Sequence, residues 1–385
     1  MKENLINQFF NHLIFIIMKK AIFCATALMF GAVAFAQNTS DVDQEGNDNS
    51  ASINQVGSNT STVLQGVASN LAYSNNAIID QKGSSTSTVK QFDGRDGENE
   101  NNRATVTQRG ENHNSMVEQL DDDNIAVVSQ RGKNNDSDVY QIGSSNLADV
   151  SQRGNGNMSS VIQSGDAGSI EPNNEAYVKQ RGRENNSLVI QDNTLNVSFV
   201  EQRGHENDAR IEQANINPAG GTENYANIFQ AGDENEASIV QAGQYPQGSL
   251  NLGSYYNEAS QTQIGDYNEA SVRQEGSGHF ALQDQVGDSN WADDFQKGAS
   301  QKSHVIQEGD HNISASLQNG FGHYSKVEQL GDWNNSDVYQ TGGQHSSTLL
   351  QDGDYNIHTV YQSGNGNMST VDQIGNGNNA NVTQN

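Results

Sequence analysis

From about Gln44 to its last residues the chain is written in an eleven-residue unit, Gln-x-Gly-x-x-Asn-x-Ala/Ser-x-Val-x-Gln, in which each closing glutamine opens the next unit. A unit this short cannot bury an apolar face alone, so copies must stack. The stretch Gln130 to Gln163 reads QRGKNNDSDVY, QIGSSNLADVS, QRGNGNMSSVI and then Q, keeping Gln, Gly, Asn, Ser or Ala, and Val in fixed places. From Gln263 the spacing runs unbroken through Gln274 to Gln373 and Gln384.

Composition alone points the other way. With 33% hydrophobic residues, 38 glycines and a formal charge of -27, the chain has the profile of a disordered or linker-like protein. The regular period argues for order, and in a repeat array length counts stacked units instead of domains.

Met18-Lys19-Lys20, an apolar run and Ala34-Phe35-Ala36 have the layout of an export signal, so residues 1–36 are expected to be removed, with Met18 as the true start. A membrane anchor over Leu13 to Ala36 is the alternative, but Lys19 and Lys20 interrupt it and small residues end it. Residues 37–43 form a short N-terminal segment and 44–385 the repeat region. Cleavage removes Lys2, Lys19, Lys20 and Glu3 from 20 basic and 47 acidic residues, leaving 17 and 46 and a net charge of -29. That charge disfavours nucleic acid and anionic membranes as partners, and nothing in the repeat is written for membrane insertion. Cys24, the only cysteine, lies inside the signal, so stability outside the cell cannot come from disulfides.

Within each unit Asn, Ala/Ser, Val and Gln are two residues apart, the strand period, and share one face. Glycine sits in the turn, where positive φ is easiest for it. Four of the five units lacking it carry Asp93, Asp121, Asn193 or Asn215, and the fifth has Val67 beside Gly66. Counting strands by their final Gln from Gln44, all five inserted segments fall between an odd strand and the next even one: Gly66 to Asp80, Phe92 to Thr107, Ser164 to Lys179, Ala214 to Phe229 and Ala242 to Thr262. Arg109, Arg131, Arg153, Arg181 and Arg203 all follow even strands. Two strands, or 22 residues, therefore make one turn. The expected fold is an all-β, two-sheeted parallel β-solenoid of cross-β type, about fourteen turns and roughly 70 Å long at about 4.8 Å per layer. Asn and Gln would stack as amide ladders over a thin Val core. The residues expected to carry them include Gln130, Asn135, Val139, Gln141, Asn146, Val150 and Gln152, then Gln263, Asn268, Val272 and Gln274, and finally Gln373, Asn378, Val382 and Gln384.

The unit resembles the curlin repeat of curli fibre subunits, most plainly at Gln263 to Gln274, QIGDYNEASVRQ. The resemblance implies a secreted, self-assembling protein that docks end to end into extracellular amyloid of the biofilm matrix. It further implies export through a dedicated outer-membrane channel and companionship with other curli-type subunits, as major subunit, nucleator or accessory. The last unit, QIGNGNNANVTQN, is as regular as any, and no cap is visible there. An uncapped parallel stack ends in unpaired backbone groups that invite another copy.

Large apolar residues recur just before the closing Gln of odd strands, among them Tyr140, Ile162, Phe295, Leu317, Tyr339 and Tyr361. Ordinary strand propensity explains them; so does a sticky lateral face for bundling or adhesion. Between Gln261 and Ser316 the Val place holds Gln261, Gln283, Asp294 and Ser316. Core burial should be weak there, and early proteolysis should concentrate in that stretch or in the inserts. A gatekeeper slowing assembly is the functional alternative.

His279, His323 and His345 take the Asn place on one edge, where imidazole substituting for an amide is favoured over a metal column. Acidic runs such as Asp121 to Asp123 read as solvated charge. The arginine column should repel itself unless acids such as Glu111, Glu184 and Glu206 intervene. No nucleophile elbow, zinc-ligand spacing or phosphate loop is present, so neither catalysis nor a cofactor is expected. The rival to a fibre subunit is a soluble binding solenoid of adhesin or ice-binding type, although no column supplies the flat threonine array that ice binding needs.

Overall fold

A computed structural model describes residues 37–66, 72–92, 99–165, 174–192, 194–214, 223–242 and 256–385. The expected signal and the middle of each insert lie outside them, as do Val67, Asp93, Asn193 and Asn215. The described chain is all β: short strands, one per unit, wound into a parallel solenoid of about 14 turns with about 22 residues per turn.

Each rung pairs with the rung two units away. Asp136–Ile142 lies on Met158–Ser164 with Val139 opposite Val161 and Gln141 opposite Gln163, while the intervening Leu147–Asn155 pairs instead with Ile125–Lys133 and Glu175–Arg183. Inserts do not disturb this register. Tyr225–Ala231 pairs with Glu258–Ile264 across a gap of 33 residues, still with Gln230 on Gln263. Odd and even rungs thus form two interleaved series. Asn76–Phe92 and Arg103–Leu120 each run through two consecutive rungs, which joins the series into one 27-stranded hydrogen-bonded sheet rather than two separate ones. The first rung reaches back to Thr39, since Thr39–Gln44 pairs with Thr60–Gln65; most of the short N-terminal segment is therefore part of the solenoid.

Burial alternates as the unit demands. In Asp136–Ile142 the buried residues are Ser137, Val139 and Gln141, and each Val so placed contributes about 1.5–3 kcal/mol of apolar burial. The Val and Ile column and the Ala column make one continuous core from Val63 to Ala281, and a second begins at Ala292. Gln261, Gln283 and Asp294 are fully buried near that break, where the sequence reading places the weak stretch.

Two left-handed residues make each eleven-residue turn. Glycine comes first: Gly154 has φ +130°, and a Cβ there would lie 1.8 Å from the carbonyl oxygen of Gly182 in the next layer. The column is therefore glycine for both conformation and space. Asp121, the described substitute, is left-handed at φ 67° as expected. The second left-handed residue, immediately before the inward Asn, was not foreseen. It is Asn134, Leu195, Tyr267, Trp333 or Tyr355 with φ between 54° and 63°, so almost any side chain is tolerated. The ten-residue units Gln55–Gln65 and Gln81–Gln91 omit it, and a register shift at Ser84/Ser85 takes up the difference.

Candidate functional site: amide ladders and a charged edge

Because each Gln faces inward over its own copy, one amide can bond the next. In the odd series every successive pair from Gln44 to Gln384 is linked Nε2 to Oε1 at 2.5–3.0 Å. The even series is equally unbroken from Gln55 to Gln373, through Gln130, Gln152 and Gln263. Each Nε2 has a second proton, and it ties one series to the other. Gln152 donates to the carbonyl of Asp136 at 2.7 Å and Gln274 to that of Glu258 at 3.0 Å. A fully satisfied buried amide network of this kind rigidifies and sets register.

The Asn ladder runs with the opposite polarity. Asn146 donates its backbone N–H to Asn124 Oδ1 at 3.0 Å, and Asn268 donates to Asn235 Oδ1 at 3.0 Å. Asn135 accepts from Asn157 at 3.1 Å. Asn378 continues the same column onto Asn356. Asn378, Val382 and Gln384 are only half-buried, because the last described rung is covered on one side, whereas Val139, Val150 and Val272 are buried.

Histidine fits the column by mimicking the amide. His323 Nδ1 accepts from the backbone N–H of His345 at 3.3 Å, and His345 Nδ1 accepts from Asn367 at 3.1 Å. Their Nε2 atoms face the carbonyls of Asn319 and Thr341 at 3.1 and 3.0 Å. The rings stack 5.0 Å apart. His113 and His279 make the same pair of contacts. With both nitrogens engaged, no lone pair is left for a metal, so the geometry supports the amide reading. Burial pushes the His279 imidazole down to about 4, consistent with a neutral ring that must accept at Nδ1.

Outside, Tyr140 lies over Ile162, and Phe295, Leu317, Tyr339 and Tyr361 form a second file on successive layers. Tyr339 and Tyr361 are 44% and 42% exposed. Arg273 caps the second file over the Phe295 ring at 5.5 Å. A further aromatic run lies on the even outer face, where Tyr177 stacks on Phe199 and Phe199 meets Tyr225 at a tilt. Tyr177 and Phe199 share one place in the repeat while Tyr225 stands two residues earlier in its own unit, so counting one offset at a time misses the run.

The arginines occupy adjacent layers at one turn edge. The acids expected to separate them do not. Glu111 pairs with Lys133 at 2.8 Å, and among the described residues Glu184 and Glu206 form no ion pair with the column. Among the described residues only its ends are neutralised, Arg109 by Asp80 at 3.8 Å and Arg203 by Glu201 at 2.7 Å.

The Curlin associated repeat family matches this chain at residues 100–132, 132–165, 221–245 and 359–385. These four stretches are curlin repeats. Those stretches include the Gln and Asn ladders around Gln130 to Gln163 and the final rungs with Gln373 and Gln384, so the matched signature and the ladder geometry coincide. No curated protein matched the chain. Curlin repeats and a β-solenoid together fit a curli-like fibre subunit, and the family is structural rather than enzymatic.

Proposed function

We propose that this curlin-repeat chain is a secreted subunit that assembles end to end into curli-like amyloid fibres of an extracellular biofilm matrix and supports adhesion. The observation that carries this reading is the unbroken Gln ladder in both series, which makes every layer a template for the next. A rung of a second copy offers the same amides, glycines and Val in the same register, so copy-to-copy stacking reuses the contacts that hold one copy together. Its partners are then first of all itself, with other curli-type subunits and an outer-membrane export channel as companions in the pathway.

The test is incubation of purified chain from Gln37 onward. Thioflavin-positive, detergent-resistant fibres that grow faster when seeded support the reading. A chain that stays monomeric for days sinks it and favours the soluble adhesin or ice-binding alternative. Curli-type secretion genes next to its own would support the proposed export route.

A further inference from the structure

One turn edge carries both halves of a complementary charge pattern. The residue after the even-series Gln is Lys82, Arg109, Arg131, Arg153, Arg181 and Arg203 on six successive layers. On the next six layers of the same edge the residue after the turn glycine is Asp233, Asp266, Asp288, Asp310, Asp332 and Asp354. The carboxylates are held alike. Asp266, Asp288, Asp310, Asp332 and Asp354 each accept a backbone N–H from the layer below on Oδ1, at 2.8–3.1 Å. Among the described residues Arg131, Arg153 and Arg181 have no acidic partner, and Asp266, Asp288, Asp310 and Asp332 have no basic one. Each file repels itself at the layer spacing of about 4.8 Å.

We propose that two copies pair side by side and antiparallel along this edge, the basic file of each against the acidic file of the other. A two-fold axis between the layers of Arg203 and Asp233 matches all six cations with all six carboxylates. Arg203 meets the second copy's Asp233, Arg181 its Asp266, Arg153 its Asp288, and so on out to Lys82 and Asp354. The pitch is common because both files are built on one β ladder. Arg183 and Lys133 stand in the same turn place as the aspartates, and the same axis sets them against Asp266 and Asp310. The interface is isologous, as in most two-fold pairs. A polyanion would satisfy only the basic half, whereas a second copy neutralises both files at once. In-register parallel pairing would set arginine on arginine.

The experiment uses two charge-reversed forms of the full mature chain. One carries Arg131→Glu, Arg153→Glu and Arg181→Glu; the other carries Asp266→Lys, Asp288→Lys and Asp310→Lys. Sedimentation before fibres grow, and electron microscopy afterwards, should show pairs for the wild type at low salt and their loss at high salt, where screening is short-ranged. Each variant alone should stay unpaired and their mixture should pair again, an outcome that misfolding cannot produce. With Cys24 removed in the mature chain, Arg153→Cys/Asp288→Cys should crosslink between copies, while Arg153→Cys/Asp310→Cys, the match for a parallel stagger of six layers, should not. Pairing by either reversed variant alone, a mixture that stays apart, or crosslinking at the staggered positions would overturn the proposal. So would a wild type that remains unpaired and takes up duplex DNA or a sulfated polysaccharide instead.

Discussion

Single positions in this solenoid are constrained by the layer above as much as by their own backbone. Gly154 and Gly366 both have positive φ, but only Gly154 faces a carbonyl within contact. Gly154→Ala should therefore cost at least about 3 kcal/mol of local stability, and Gly366→Ala about 1 kcal/mol. Hydrogen exchange in the rungs on either side would read the difference, and equal protection in both variants would count against it. The Gly column was legible in the sequence because, apart from Val67 beside Gly66, only Asp or Asn replaces glycine there. The left-handed residue two places later was not, since Trp333, Tyr355 and Leu195 advertise no such conformation. The imposed backbone, with the inward Asn bonded to its neighbours, holds them in place. Titration also belongs at this scale. Burial raises Asp294 to about 7, with Ser303 and Gln283 partly offsetting it. Between the ordinary carboxylate range and pH 7 the folded chain holds a proton that the unfolded chain has released, so stability falls as pH rises, by about 4 kcal/mol in all. His279 and His358, pushed down to about 4 by burial, act oppositely: their contribution is whole above pH 6.5 and is lost as pH falls toward 4. Asp294→Asn should abolish the loss between pH 5 and pH 8 in the exchange of Trp291–Ala299 while leaving the acid-side loss unchanged.

At the level of the rung, what differs is what fills the Val place. Most rungs put Val or Ile there, but Gln261 bonds Gln283 at 2.9 Å, Gln283 bonds Asp294 at 3.1 Å, and Ser303 bonds Asp294 at 2.8 Å. The side-chain ladder is continuous through this region while the apolar core is not. A polar plug of this kind keeps register but gives up apolar burial, so it should open first. Gln283→Val with Asp294→Val should slow exchange across Glu258–Ile264 and Ile313–Phe321 by at least about tenfold, the effect of roughly 1.4 kcal/mol, about one lost core methylene per rung or more. Unchanged exchange would show that the amide ladder alone sets local stability. The two-unit turn and the polar stretch were both readable from spacing, because inward positions alternate strictly and any departure stands out. The charged edge was readable only in half. The arginines follow one visible offset, whereas the aspartates occupy another, in a different half of the chain, and only the strand register brings both files to one edge.

For the whole molecule the 22-residue turn makes a specific claim about deletions. Removing Arg131 to Gln152, two complete units, joins Gln130 to Arg153 and leaves every Gln, Asn, Gly and Val column in register. One layer is lost, and in a nearest-neighbour stack the rest should be nearly indifferent to it. Removing Arg131 to Gln141 alone deletes one unit. Inward residues still alternate correctly, so a solenoid should still form, but every later rung changes series and Arg153, Arg181 and Arg203 move to the edge opposite Lys82 and Arg109. Circular dichroism and fibre growth should therefore survive both deletions, while salt-sensitive antiparallel pairing should be weakened only slightly by the first and strongly by the second, where Arg153, Arg181 and Arg203 move together with the aspartates and keep their partners but Lys82 and Arg109 are left on the other edge. A single-unit deletion that failed to fold would mean that odd and even rungs are not interchangeable. In that case the alternation of Ala104, Ala126 and Ala148 in one series with Ser115, Ser137 and Ser159 in the other would be a packing requirement.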